Sequence, residues 1–519
     1  MEQEGPLAGL TPRGAAVYFV LAAATLILAF ALRYPSFFEP RWYGDEGIFA
    51  GIAQNMLDGR TLYAEAWDNK PPLIFATYAL IQLVSGTTGV MPLHIATAMV
   101  VIMTQAAVMA IALRLYGPWR SLIASAAFAL VLCTPVLEGN LALTETYMIL
   151  PATLGVLLFV LADGRSEGRR VSWYAAAGVM MSFAISYKQV AVFDAAAVGA
   201  MLWLTQERPL RALVAFGAGV ATPQALLLAL FTAVGALDEY VYAMAGAQNV
   251  YWDLSDDKGP LMRVAGYLPA LIVGAYLVRR QRLGGDVGVA HLPMLWFAFA
   301  IAGATASPFT FPHYLQQVAP AAVLLAVSSP LPVERDDLGR IALVVTGLLV
   351  AAILYAQFWD DLRNRRHLDV DWYYQTFASY RWGDMDEDAY IYEFDGRAIT
   401  VADIARYIEQ DGAGNTLFTW SELSWVYAAS GATNPTRYYA SFFGHVMPGA
   451  RDEILRDVQA SPPVYMVTSD GAYAPFDALD EFISRRYELL RAQGDWRLYR
   501  LSTASGRLTP QPAAGMVHN

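Results

Sequence analysis

Cysteine is almost absent: the 519-residue chain has one, Cys133. An intrachain disulfide and a cysteine-based metal site are both excluded. Charge is also scarce, with 16% Asp, Glu, Lys and Arg, and it sums to -11, which argues against a nucleic-acid partner. There is no P-loop, no G-x-S-x-G, no H-E-x-x-H and no G-x-G-x-x-G after a strand. Chemistry that needs a nucleotide or redox cofactor therefore has no visible support, and no cofactor is identified. No small-residue cleavage site follows the first apolar block, so that block reads as an uncleaved first span rather than a signal peptide.

What is abundant is apolar. Hydrophobic residues make up 56% of the chain and the mean hydropathy is +0.36. They fall in long unbroken blocks, and the 29 Tyr and 13 Trp suit the headgroup layer. The expected fold is an α-helical polytopic membrane protein. The basic connections at 114–120, 165–170, 206–211, 279–282 and 334–340 are expected inside. The acidic and aromatic connections at 34–70, 136–145, 236–262 and 307–314, and the turn at Lys188, then fall outside. The block at 71–87 is short and headed by Pro71 and Pro72, and it is expected to dip into the membrane or lie along it. About 11 spans result, with up to about 13 under another parse, an N-terminus inside and a C-terminus outside.

Residues 1–358 thus form the membrane part, with a first outer loop at 34–72. Residues 359–398 show little periodicity and read as a connector near the membrane. Alternating strands and helices over 399–503 suggest a small extracytoplasmic α/β domain, with a helix expected over 476–490. The Pro/Ala/Gly-rich residues 504–519 read as a disordered tail.

The outer loop holds the densest chemistry. Asp45 and Glu46 open a run, capped by Asp45, in which Ile48, Ile52 and Met56 recur at helical spacing, an amphipathic helix expected on the membrane surface. The two acids either serve the helix dipole or form a general base and its partner. Lys70, in WDNKPPL, either snorkels to headgroups or grips a lipid phosphate, with Asp68 or Asn69 orienting nearby groups. Glu145 and, more weakly, Glu138 sit where an outer loop meets a span, a position that favours function over a plain surface acid. Lys188 breaks the basic-inside trend and suggests an anionic partner, or a headgroup contact; Asp194 is a candidate to pair with it. His313 and Tyr314 lie at the outer end of a late span, where a single histidine is more often structural. Tyr251, Trp252, Asp253, Asp256 and Asp257 form an outer loop that either stacks on a sugar or is an interfacial belt.

The succession YGDEG, WDNKPPL, LTETYMILP, SYKQVA and FPHYLQQVAP over residues 15–330 resembles the GT-C superfamily of membrane glycosyltransferases. It is most similar to the bacterial branch related to protein O-mannosyltransferases and lipid A aminoarabinose transferases. The resemblance implies a polyprenyl-phosphate-sugar donor used on the outer face of the cytoplasmic membrane. It makes Asp45 the base, with Glu46 beside it. Lys70 and Lys188, with the His313–Tyr314 motif, take the donor-phosphate side, and Glu145, Asp68 and Trp252 position substrate. Asp68 and Asn69 before the KPP depart from the family pattern, which puts the role of Asp68 in doubt. The acceptor (lipid, protein or glycan), the sugar and any divalent-metal dependence stay open. A transporter or flippase and a lipid-linked polysaccharide ligase or polymerase are the competing readings. Loop-borne carboxylates favour the enzyme, because transporters place binding groups on broken helices at the midplane.

Overall fold

The computed structural model describes Leu7 and residues 10–254, 264–307, 309–328 and 337–502. The tail at 504–519, together with Asp256 and Asp257, lies outside the described residues. The N-terminal two-thirds is helical, and a small sheet closes the C-terminal end. The chain is a multi-pass membrane protein of mostly helical architecture. Among the described residues five helices are long and apolar enough to cross a membrane: Pro12–Phe38, Val90–Tyr116, Thr144–Ala162, Pro209–Ala233 and Gly339–Asp360. Shorter apolar helices lie between them.

The first helix, α1 (Pro12–Arg33), starts where Thr11 accepts the Gly14 amide and Pro12 presets the first turn. It ends at Arg33, whose fully buried guanidinium donates to the carbonyls of Gly139 and Asn140 and so ties down a distant loop. Next come α2 (Gly44–Leu57), α3 (Leu73–Ser85), α4 (Val90–Tyr116), α5 (Pro118–Leu132), α6 (Thr144–Ala162), α7 (Glu167–Tyr187), α8 (Val192–Thr205) and α9 (Pro209–Ala233). With 13 residues, α3 is only ~20 Å long, short of the ~30 Å hydrocarbon core. Helices α7 and α9 cross in backbone contact: a Cβ on Gly219 would lie 2.0 Å from the Ala175 carbonyl oxygen. Small residues permit that approach.

The expected surface helix is instead a buried one. Asp45 lies in the first turn of α2, and Tyr43, not Asp45, is the residue before it. Ile48, Phe49, Ile52 and Ala53 are all buried, because α2 is covered by α3 on one side and by the C-terminal segment on the other. Gly47 makes the second contact possible. A Cβ there would sit 2.6 Å from both the Ser424 hydroxyl and the Trp425 amide. Ser424 donates to the Gly44 carbonyl at 2.7 Å, and the Trp425 indole to the Tyr43 carbonyl at 2.9 Å.

The C-terminal sheet runs in the order β1-β2-β4-β3, from β1 (Leu417–Trp420), β2 (Tyr465–Ser469), β3 (Tyr487–Gln493) and β4 (Trp496–Leu501). The first two strands are parallel and the others antiparallel. The helix expected over 476–490 stops at Arg486, where β3 begins and turns through Gly494 into β4. The weakly periodic stretch at 359–398 is also more ordered than its sequence suggests. It contains the helices Val370–Trp382 and Glu387–Phe394, capped by the side chains of Asp369 and Asp386. One apolar core runs from Phe49, Tyr63 and Trp67 through Trp425 and Tyr427 to Tyr465 and Leu498. Residues 48–67 and the C-terminal sheet therefore share one core; a separate core fills the helical bundle.

Candidate active site

Successive helical residues point about 100° apart, so the adjacent acids of α2 diverge. Asp45 is half-buried and faces a cavity of ≈ 300 Å³; among the described residues its carboxylate receives no hydrogen bond from protein. Glu46 faces the opposite way and is fully buried. Its Oε1 lies 2.9 Å from His94 Nε2 and accepts the Ala142 amide at 2.6 Å. Glu46, expected beside Asp45, is buried away from the cavity and ties together α2, α4 and the 138–143 loop.

Lys70 opens onto the same cavity. Its ammonium donates to Asn69 Oδ1 at 3.0 Å and lies 3.7 Å from Asp68 Oδ1, which also accepts the Lys70 amide at 3.0 Å. The turn is held from outside: Tyr63 donates to the Lys70 carbonyl at 2.8 Å, and Gln189 and Gln248 both donate to the Asn69 carbonyl. Burial would pull the Lys70 ammonium down, but Asp68, Asp45 and Glu145 outweigh it and hold it above its ordinary value. Burial pushes the Asp68 carboxyl up to about 6 against the opposing pull of Lys70. Asp68, expected to position substrate, is 1% exposed, does not line the cavity and lies against Lys70.

Lys188 ends α7 in an extended conformation and reaches the cavity with its ammonium 3.8 Å from the Tyr314 ring centre. Its partner is Glu145, whose other oxygen accepts the Thr144 hydroxyl at 2.7 Å. Glu145 is buried beneath the wall, holding Lys188 in place, and His313 Nε2 stands 3.8 Å away. Asp194, a candidate partner for Lys188, is occupied elsewhere, accepting from Trp296 at 2.6 Å and Gln317 at 2.7 Å.

His313 and Tyr314 both line the cavity. The His313 ring stacks on Phe311, with centres 5.4 Å apart and planes at 6°, and its Nδ1 is bonded to Glu138. Glu138 is a second surprise. Its backbone sits at φ +54°, a region disfavoured for non-glycine residues, and its buried carboxylate also meets His367 at 3.1 Å, Tyr43 at 3.3 Å and Arg365 at 3.6 Å. Burial would raise that carboxyl, but His313 and His367 outweigh it and hold it well below the usual carboxylate range. Trp252 is on the helix Ala247–Asp253, and its side chain lies outside the described residues; its neighbour Tyr251 lines the cavity.

Sequence reasoning missed the other wall. Arg397, Glu422, Ser424, Phe442 and Phe443 come from the C-terminal segment and close the cavity over Asp45. Nothing in their local sequence announces this. Long-range contacts bring them there, among them the close approach at Gly47 and the Trp67 amide bonded to the Arg437 carbonyl. Among the described residues no group of three or more His, Cys, Asp or Glu side chains is placed to hold a metal ion.

A bundle of apolar helices, an acidic helix start at Asp45 and a C-terminal α/β segment packed against it make up a fold shared with solved structures at low sequence identity. The solved structures with this architecture that the chain is similar to include ArnT from Cupriavidus metallidurans. In the form bound to undecaprenyl phosphate the TM-score is 0.60 at 15% identity, over 95% of this chain and 99% of that one. The apo form gives a TM-score of 0.59 at 16% identity, over 93% and 98%. The archaeal oligosaccharyltransferase AglB from Archaeoglobus fulgidus, in complex with an inhibitory peptide and a dolichol-phosphate, gives 0.50 at 11% identity, over 96% and 76%. No family model and no curated protein sequence matches the chain. The resemblance to GT-C enzymes therefore holds at the level of the fold.

Proposed function

We propose that this chain is a membrane glycosyltransferase that moves a sugar from a polyprenyl-phosphate donor to an acceptor hydroxyl on the outer face of the cytoplasmic membrane. The observation that carries the reading is one cavity shared by the Asp45 carboxylate and two ammonium groups, Lys70 from the same 34–72 stretch and Lys188 from the end of α7. The similar fold of ArnT bound to undecaprenyl phosphate supports the donor class.

In this reading the acceptor oxygen attacks the anomeric carbon as the bond from that carbon to the phosphate oxygen breaks. The electron pair leaves with the polyprenyl phosphate, and Asp45 takes the hydroxyl proton. A carboxylate with no protein donor on it is free to accept that proton. Lys70 and Lys188 stabilise the charge developing on the phosphate, in a site where low polarity strengthens the effect. Glu145 and Asp68 hold these two lysines, and Glu138 holds His313 beside them. Residues 1–358 act as the catalytic membrane unit and 399–503 as an extracytoplasmic domain, joined through 359–398.

The test is transfer by purified Asp45→Asn protein in liposomes, supplied with the lipid-linked sugar pool extracted from host membranes. Loss of a general base predicts a fall of roughly 10²–10⁴-fold. A near wild-type rate removes Asp45 from the chemistry. Sidedness is read by maleimide labelling of spheroplasts. A cysteine replacing exposed Ser484 is expected to react and one replacing exposed Ser166 to be protected, against a buried Cys133. The reverse pattern inverts the topology.

A further inference from the structure

The wall contributed by the C-terminal segment carries two charged groups, each fixed on one edge and open on the other. Glu422 follows β1. Its Oε1 accepts the Ser441 hydroxyl and, at 3.0 Å, the Phe442 amide, while Ser441 is itself anchored by the Tyr473 amide at 3.0 Å. Among the described residues no protein group donates to Glu422 Oε2. Arg397 opens the helix Gly396–Asp411, and its guanidinium is gripped by Asp395 through Nε at 2.8 Å and Nη2 at 2.6 Å; among the described residues Nη1 donates no hydrogen bond. Both residues line the cavity beside the Phe442 and Phe443 rings, on a different element from Lys70 and Lys188.

We infer that Glu422 and Arg397 form an acceptor subsite for a carbohydrate, taking two neighbouring hydroxyls of an acceptor glycan; this rests on the transferase reading above. One hydroxyl donates to Glu422 Oε2 while its neighbour accepts from Arg397 Nη1, and the aromatic rings cover the apolar face of the sugar. Such ionised partners make the stronger class of hydrogen bond. A phosphate at this end is disfavoured by the Glu422 charge, and a purely apolar lipid tail would give Glu422 Oε2 no donor. The chain thus separates its two substrates by charge. Cations hold the donor phosphate, and a fixed carboxylate and guanidinium hold the acceptor sugar.

The experiment uses a host strain lacking the chain and complemented with wild type, Glu422→Gln, Arg397→Gln or Asp45→Asn. Mass spectrometry of its glycans, glycolipids and proteins is paired with binding of undecaprenyl phosphate to each purified protein. Gln at 422 keeps the shape and the Oε1 acceptor, and the Arg397 side chain is 59% exposed, so both variants are expected to fold. Loss of one charge-assisted hydrogen bond predicts about tenfold less product or more in each, with undecaprenyl phosphate affinity unchanged and the transferred group on a sugar hydroxyl. Wild-type product in both variants overturns the inference. So does loss of undecaprenyl phosphate binding along with product, or a product on a serine, a threonine or a lipid that carries no sugar. Wild-type product in Asp45→Asn removes Asp45 from the chemistry, and the absence of any difference between the complemented and uncomplemented strains refutes the transferase reading itself, results distinct from all of these.

Discussion

Two neighbouring carboxylates in one helical turn are expected to fail in opposite ways. Glu46→Ala removes the acceptor for the Ala142 amide and the ionic partner of His94, in a site with no solvent to replace either. Breaking a buried pair by removing one member costs about 3–5 kcal/mol, most of it the penalty on the partner left behind. Because Glu46 ties α2 to α4 and to the 138–143 loop, the loss falls on the packing of the whole outer loop. The assay is thermal unfolding in detergent beside sugar transfer per folded molecule. Glu46→Ala lowers the unfolding midpoint clearly, whereas the isosteric Glu46→Gln, which can still accept the Ala142 amide, lowers it less and retains transfer. Asp45→Asn shows the reverse, an unchanged midpoint and lost transfer. A well-folded but inactive Glu46→Gln would refute the reasoning, because it would place Glu46 in the chemistry.

Three further outcomes follow from the same geometry. Lys70→Ala is expected to weaken undecaprenyl phosphate binding by about tenfold or more, the loss of one contact to a charged group; unchanged affinity by equilibrium binding would leave Lys70 a headgroup contact. Asp68 gives a pH dependence with a definite sign. Its folded value of about 6 exceeds the ordinary 3.8, so between those values the folded protein holds a proton that the unfolded chain has released. Stability from this group is therefore present below the window and is lost as pH rises through about 6, on the order of 3 kcal/mol in total. Asp68→Asn flattens that slope in unfolding measured from pH 4 to 7, and an unaltered slope contradicts the assignment. Finally, Gly219→Leu forces apart α7 and α9, which touch through backbone, and is expected to lower the unfolding midpoint by overpacking that costs about 1–3 kcal/mol or more. Undecaprenyl phosphate binding in the fraction that folds is the control, and an unchanged midpoint would mean the helices separate freely.

Apolar blocks and the placement of basic loops were enough to read a polytopic helical protein, because burial in lipid is decided by local composition. The approximate strands of the C-terminal segment were legible for the same reason, with β3 hidden inside a stretch that also reads as helix. Asp45, Lys70, Lys188, His313 and Tyr314 were all nameable as polar groups at span ends, and the structure brings all five to one cavity. Which neighbour faces that cavity was not legible. Asp45 and Glu46 are equivalent in sequence, and only the packing of α2 against α3 and the C-terminal segment sends one to the cavity and the other to His94. The same holds for Asp68 and Glu145, acids that turn out to anchor lysines. It holds above all for Arg397 and Glu422, more than 350 residues from Asp45 in the chain. Their position depends on the shared core and on contacts such as Gly47, small enough to let Ser424 and Trp425 touch the start of α2. Composition settles which segments enter the membrane. Side-chain direction and long-range contact settle which polar groups meet, and those exist only once the chain is folded.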